Sequence, residues 1–119
     1  MHTHTVFFWL KDGVDEAGHE AFRHGLDLLT REPHVRDRRV GGPAATRREV
    51  VDWSYAYAIV LRFDDIDGHN AYQVSDEHQV FLDACLGMIS RVQVYDVADA
   101  NQPEMTSSRP NRDIQSRAN

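Results

Sequence analysis

Four side chains in this sequence have the types and spacing that acid–base chemistry requires: His4, Tyr57, Tyr72 and His78. Tyr72 and His78 straddle Ser75, a residue suited to capping the start of a helix. With Ser75 as the cap, His78 falls in the first helical turn, where the positive end of the helix dipole disfavours imidazolium. A neutral imidazole there can accept a proton near neutral pH. A tyrosine hydroxyl beside it can donate to a carbonyl oxygen and stabilise developing negative charge. Such a pair suits enolisation, aldol-type closure or isomerisation without a cofactor. The plainer alternative is that His78 merely helps cap a turn and Tyr72 is an amphipathic core residue. The residues alone leave both readings open, with the plainer one as default.

Other chemistries find less support. The sequence has no phosphate-binding glycine loop, no Gly-x-Ser-x-Gly elbow and no His-Glu-x-x-His. His2 and His4 share one strand face, and Asp76, Glu77 and His78 offer further ligand atoms, but the set has no recognised metal-ligand spacing. Neither a metal nor another cofactor is therefore expected. His4, at the start of a strand, either lines a cavity or bonds a buried backbone group. His19 and His24 fall on a polar helix face and should be solvated. Phe7 and Trp9 should pack under helices, and Cys85, at core spacing, should be a buried thiol and not a nucleophile.

The elements that must position these groups follow from periodicity. Residues 3–11 are aromatic and β-branched, with faces His4/Val6/Phe8/Leu10 and Thr5/Phe7/Trp9/Lys11. Both faces are largely apolar, so both should be covered. From about Val14 to Arg31 the period becomes 3.6, with Val14, Ala17, Ala21, Phe22, Gly25, Leu26, Leu28 and Leu29 in one stripe and Pro33 as the stop. Residues 36–42 suit a short charged edge strand, 43–52 a polar loop and 54–63 a long strand with Tyr55, Tyr57, Ile59, Leu61 and Phe63 on one face. A turn at 64–68 leads into a helical stretch through Tyr72, then a second helix from Ser75 to Gly87. Residues 88–97 form the last strand. Residues 98–119 have few large apolar side chains and are expected to be a flexible tail, leaving a domain over 1–97.

Strand–helix–strand–strand–helix–strand with a right-handed crossover is the α+β, ferredoxin-like βαββαβ arrangement: a four-stranded antiparallel sheet with helices on one face. The uncovered face would then hold His4, Val6, Phe8 and the tyrosine face of the third strand, too apolar to leave in water. A second copy placed against it would bury it, so the pattern predicts a homodimer.

Composition bounds the partners. The chain has 119 residues, 13 Lys+Arg against 19 Asp+Glu, a formal net charge of −6 and one cysteine. That length suits one domain, excludes a disulfide framework, and argues against nucleic acid or an anionic membrane as partner. No apolar run approaches a membrane span and no basic segment precedes an apolar leader, so a cytoplasmic protein is expected. The charge is uneven. Residues 31–48 are basic and residues 64–83 carry six acids without a base. The two segments would either attract across a dimer or form solvated faces.

Together these features resemble the stress-responsive dimeric α/β-barrel (Dabb) domain family. The resemblance rests on His4 opening an aromatic strand that ends in Lys11, the first helix followed by Pro33, Tyr55, the run Tyr72-Gln-Val-Ser-Asp-Glu-His78, and Asp96 closing the last strand. It covers residues 3–97. It implies a homodimer of ferredoxin-like units closing into a dimeric α/β barrel, each lumen taking a small apolar or aromatic molecule. Of the residues expected to line it, His4, Val6, Phe8 and Ile59 come from strands. Tyr57 joins them from the third strand, and Phe22 and Leu26 from the first helix. The chain is distantly similar to the plant polyketide cyclase of this family that makes olivetolic acid, which uses a tyrosine and a histidine at the spacing of Tyr72 and His78. Carried over, Tyr72 would hold a substrate carbonyl and His78 would act as base. This chain departs from the cyclase at Tyr57, where a histidine stands, and from a common family pattern at Ser75-Asp76, where His-Pro stands. Related barrels also include haem-degrading enzymes and oxygen-using monooxygenases, whose constellations this sequence lacks.

Overall fold

A computed structural model describes residues 1–100. Its elements are β1 (His2–Leu10), α1 (Glu16–Leu29), β2 (Asp37–Gly41), β3 (Tyr57–Phe63), α2 (Ile66–Gln73), α3 (Asp76–Cys85), a short 3₁₀ turn (Leu86–Met88) and β4 (Ile89–Ala98). The four strands form one antiparallel sheet in the order β2-β3-β1-β4. This is the ferredoxin-like arrangement that the element order predicts. Residues 98–100 are described and Ala98 still belongs to β4; the rest of the expected flexible tail lies outside the described residues.

Local chemistry explains where the helices begin. Asp15 caps α1 by accepting from the Gly18 N–H at 2.8 Å, and Asp65 caps α2 by accepting from the Gly68 N–H at 2.9 Å. Each such cap contributes about 1 kcal/mol. At its far end α1 stops at Thr30, whose hydroxyl donates back to the Leu26 carbonyl at 2.8 Å. The apolar stripe of α1 is narrower than the periodicity suggests. Phe22, Leu26 and Leu29 are buried, whereas Ala17, Ala21 and Leu28 remain exposed.

These side chains pack on the sheet face formed by Val6, Phe8, Ile59, Leu61 and Phe63. The register puts Phe8 opposite Tyr57, Val6 opposite Ile59 and His4 opposite Leu61. The strand faces are therefore paired as the alternation predicts, but the side of the sheet is reversed. His4, Val6 and Phe8 lie under the helices, and Phe7 and Trp9 lie on the open face. Phe7 touches Tyr55 and Tyr95 there, with ring centroids 4.9 and 6.2 Å apart. β1 is apolar on both faces, so it cannot decide the matter; its neighbours do. The open face also holds Arg62 and Arg91, which beneath helices would be buried charges without partners. Tyr55 is a second correction. β3 begins only at Tyr57, so the alternation breaks before it and Tyr55 joins Phe7 and Trp9.

The basic and acidic segments meet within one chain. Arg36 Nε lies 2.9 Å from Asp64 Oδ2. Arg38 turns instead to Asp27 on α1 and to Thr30 at its C-terminal cap, at 3.2 and 2.8 Å.

Candidate functional site

Ser75 builds the first candidate site. Its hydroxyl accepts from the His78 N–H at 3.2 Å and donates to the Tyr72 carbonyl at 2.7 Å. One side chain thus ends α2 and starts α3, and ties together the two backbones that carry Tyr72 and His78. Their rings meet edge to face, 5.3 Å between centroids. Both are buried, and among the described residues the Tyr72 hydroxyl has no hydrogen-bond partner. Burial, and then the charge of Glu32, push the Tyr72 phenol well above its ordinary range, so it stays a hydroxyl and a donor.

The remaining residues of the sequence-derived set divide. Val6, Phe8, Phe22, Leu26 and Ile59 are core residues with no exposure. Phe8, Phe22 and Phe81 form a triangle of edge-to-face rings, with centroids 5.4 to 5.8 Å apart. Tyr57 is half-buried over Phe22, and its hydroxyl is held by Arg23 at 3.1 Å and His19 at 2.8 Å. His19 is thus engaged and not solvated. Outside this core, an apolar groove of about 600 Å³ runs between α1 and α3, lined by Ala21, His24, Gly25, Leu28, Val80 and Phe81. Phe81, which lines the groove, lies one helical turn from His78 on α3. Cys85 is buried beside Gly25, and burial raises its thiol pKa.

His4 stands apart from that core, in a polar cluster that no spacing along the chain displays. The Asp96 Oδ1 accepts from His2 Nε2 at 3.0 Å and from His4 Nδ1 at 2.6 Å, and lies 3.6 Å from His69 Nε2. A carboxylate can only accept, so His2 and His4 carry their protons on those nitrogens. His69 Nδ1 donates to the Asn70 side-chain oxygen at 3.1 Å, leaving its Nε2 as a lone pair. The Gln73 amide nitrogen lies 3.5 Å from His4 Nε2 and 3.4 Å from His69 Nε2. Burial, and then His4, push His69 down to about 4. Burial alone would raise the Asp96 carboxyl, but hydrogen bonds from His2 and His4 outweigh it and hold Asp96 well below the usual carboxylate range. His69 was not singled out by sequence, because its partners arrive from β1 and β4, far along the chain.

The sequence model of the Stress responsive A/B Barrel Domain, Dabb, matches residues 3–99. A dimeric ferredoxin-like protein of unknown function from Thermobifida fusca is 22% identical, with a TM-score of 0.68 over 82% of this chain and 89% of its own. A Dabb family protein from Mesorhizobium loti is 17% identical, with a TM-score of 0.67 over 84% of this chain and 97% of its own. The hydroxynitrile lyase of Passiflora edulis is 16% identical, with a TM-score of 0.66 over 86% of this chain and 96% of its own. At these identities the likeness speaks for the fold. No curated protein matches the chain. Among the described residues, no helix is long and apolar enough to cross a membrane.

Proposed function

The chain belongs to the stress-responsive A/B barrel domain family, and from that premise we propose that it is a homodimer whose protomers each bind a small, largely apolar molecule carrying a hydrogen-bond acceptor. The observation that carries the reading is the Tyr72 hydroxyl, buried without a partner against the ring of His78. An unsatisfied buried donor costs roughly 1–3 kcal/mol, a cost that a ligand oxygen removes on arrival. The groove between α1 and α3 supplies room for the apolar body. Dimerisation rests on the aromatic open face of the sheet and on the dimeric state of the Thermobifida fusca protein.

Acetophenone, an apolar ring bearing one carbonyl, is a suitable probe. Titration followed by NMR should shift the Tyr72 and His78 ring resonances to saturation. Ethylbenzene, of the same shape without the oxygen, should bind roughly fivefold to tenfold more weakly, the worth of one hydrogen bond. Tyr72→Phe should abolish that difference. Acetophenone that leaves both rings unshifted, or binds Tyr72→Phe as tightly, overturns the reading.

The contact between Tyr72 and His78 also favours a second reading, cofactor-free acid–base catalysis. Tyr72 would donate to the carbonyl oxygen while His78 removes a proton from the adjacent carbon, giving an enol-like species that is reprotonated from the same imidazole. The measurement is exchange of the acetophenone methyl protons in deuterated water. Exchange above background that vanishes in His78→Ala supports catalysis; saturable binding without exchange leaves a binding protein.

A further inference from the structure

We propose that His2, His4, His69 and Asp96 form a site for one divalent transition ion of borderline softness, with zinc(II) as its type. One ligand atom from each lies within 4.8 Å of all the others. Tetrahedral zinc with bonds of about 2.0 Å needs ligand atoms about 3.3 Å apart. The separations from Asp96 Oδ1 to the three imidazole nitrogens, 3.0, 2.6 and 3.6 Å, bracket that spacing.

The donor set decides the class of ion. Three imidazoles and one carboxylate, with no thiolate, suit zinc, cobalt or nickel, and are poor partners for magnesium or calcium, which prefer oxygen throughout. The supports behind the ligands are in place. Asn70 holds His69 through Nδ1, which aims Nε2 into the cluster. Gln73 sits against His4 Nε2, and a turn of its amide presents the oxygen that a metal-bound His4 would need there. Binding displaces the protons on His2 Nε2 and His4 Nδ1. His2 Nδ1, buried and without a partner among the described residues, is then free to hold the proton that Nε2 gives up. The histidines are buried, whereas about a third of the Asp96 side chain is exposed, which provides the route in. The ion would pin β1, α2 and β4 together at one end of the sheet.

The full chain, stripped with a chelator, should take up one zinc ion per chain in competition with a chromophoric chelator. Zinc should raise its Tm, and cobalt(II) should give the intense visible bands of tetrahedral coordination. His69→Gln and Asp96→Asn should each weaken zinc by about a hundredfold or more, by analogy with losses from supporting residues of metal sites. His34→Gln, outside the cluster, should leave it unchanged. Absence of stoichiometric uptake by the folded protein overturns the site. So does uptake that survives His69→Gln at full affinity, which places the ion on the N-terminal amine and His2. Should His69→Gln fail to fold, the cobalt spectrum of the unaltered chain decides, a weak octahedral spectrum counting against the site. None of these residues is Tyr72 or His78, so the outcome is separable from the acetophenone experiment.

Discussion

A phenol buried in an aromatic core without a partner is a cost that the fold carries at one position. The Tyr72 ring is packed by Phe63 at 5.3 Å, His78 at 5.3 Å and His4 at 5.8 Å, so its apolar body is well used and only the hydroxyl is unserved. A residue kept for packing alone would do better as phenylalanine. Tyr72→Phe is therefore expected to stabilise the unliganded protein by about 1 kcal/mol, read as a higher urea midpoint at unchanged slope. A lower midpoint would show that the hydroxyl has a structural partner and would remove the reason for placing a ligand there. Position in the chain made Tyr72 and His78 legible, because Ser75 announces the helix start between them. The hydroxyl's lack of a partner was not legible, since it depends on which atoms of other elements fail to reach it.

At the scale of elements, local signals were readable and side assignments were not. The periodicity from Val14 to Arg31 yields α1, and the Ser75 cap yields α3, because both rest on neighbours within a turn. The side of the sheet on which β1 buries His4, Val6 and Phe8 depends on Arg62 and Arg91 in other strands, and so did not follow from β1 itself. The cluster at Asp96 was hidden for the same reason, because it needs the pairing of His4 with Asp96 across β1 and β4. Helix pairing offers a sharper test. Gly25 faces α3, and a Cβ added there would lie 2.7 Å from Cys85 Sγ and 3.4 Å from the Phe81 ring. In a solvated helix, Gly→Ala would gain roughly 0.5–1 kcal/mol. Here overpacking of about 1–3 kcal/mol outweighs that gain, so Gly25→Ala should lower stability by about 1 kcal/mol. In a Cys85→Ala background the same change should be neutral or stabilising, because the obstructing sulfur is gone. Equal effects in both backgrounds, measured by urea unfolding, would mean that the helices separate freely and that Cys85 does not set their approach.

The whole molecule is decided on the face that the helices leave open. Phe7, Trp9, Tyr55 and Tyr95 form a continuous aromatic strip there, with Trp9 and Tyr55 centroids 6.3 Å apart and the Arg91 guanidinium 4.2 Å over the Trp9 ring. Tyr95 and Val97 are each more than half exposed. Strips of this size and composition, with aromatic and arginine side chains at the centre, have the make-up of a protein–protein interface. In the proposed dimer a two-fold axis would set the strip against its own copy, so any charge added to it would enter the interface twice. Tyr95→Arg adds to Arg62 and Arg91 on a face that is already positive, while costing the isolated protomer little because Tyr95 is exposed in it. The unaltered chain should sediment as a dimer at micromolar concentration, and Tyr95→Arg should weaken the dimer by about a hundredfold, near 2.7 kcal/mol. Leu86→Arg, equally exposed but after α3 and away from the sheet, should leave the dimer intact. A stable monomer of the unaltered chain at micromolar concentration, or a Tyr95→Arg dimer of undiminished strength, would leave the strip without its partner. Either result would return the question of what covers Phe7 and Trp9 to some other surface.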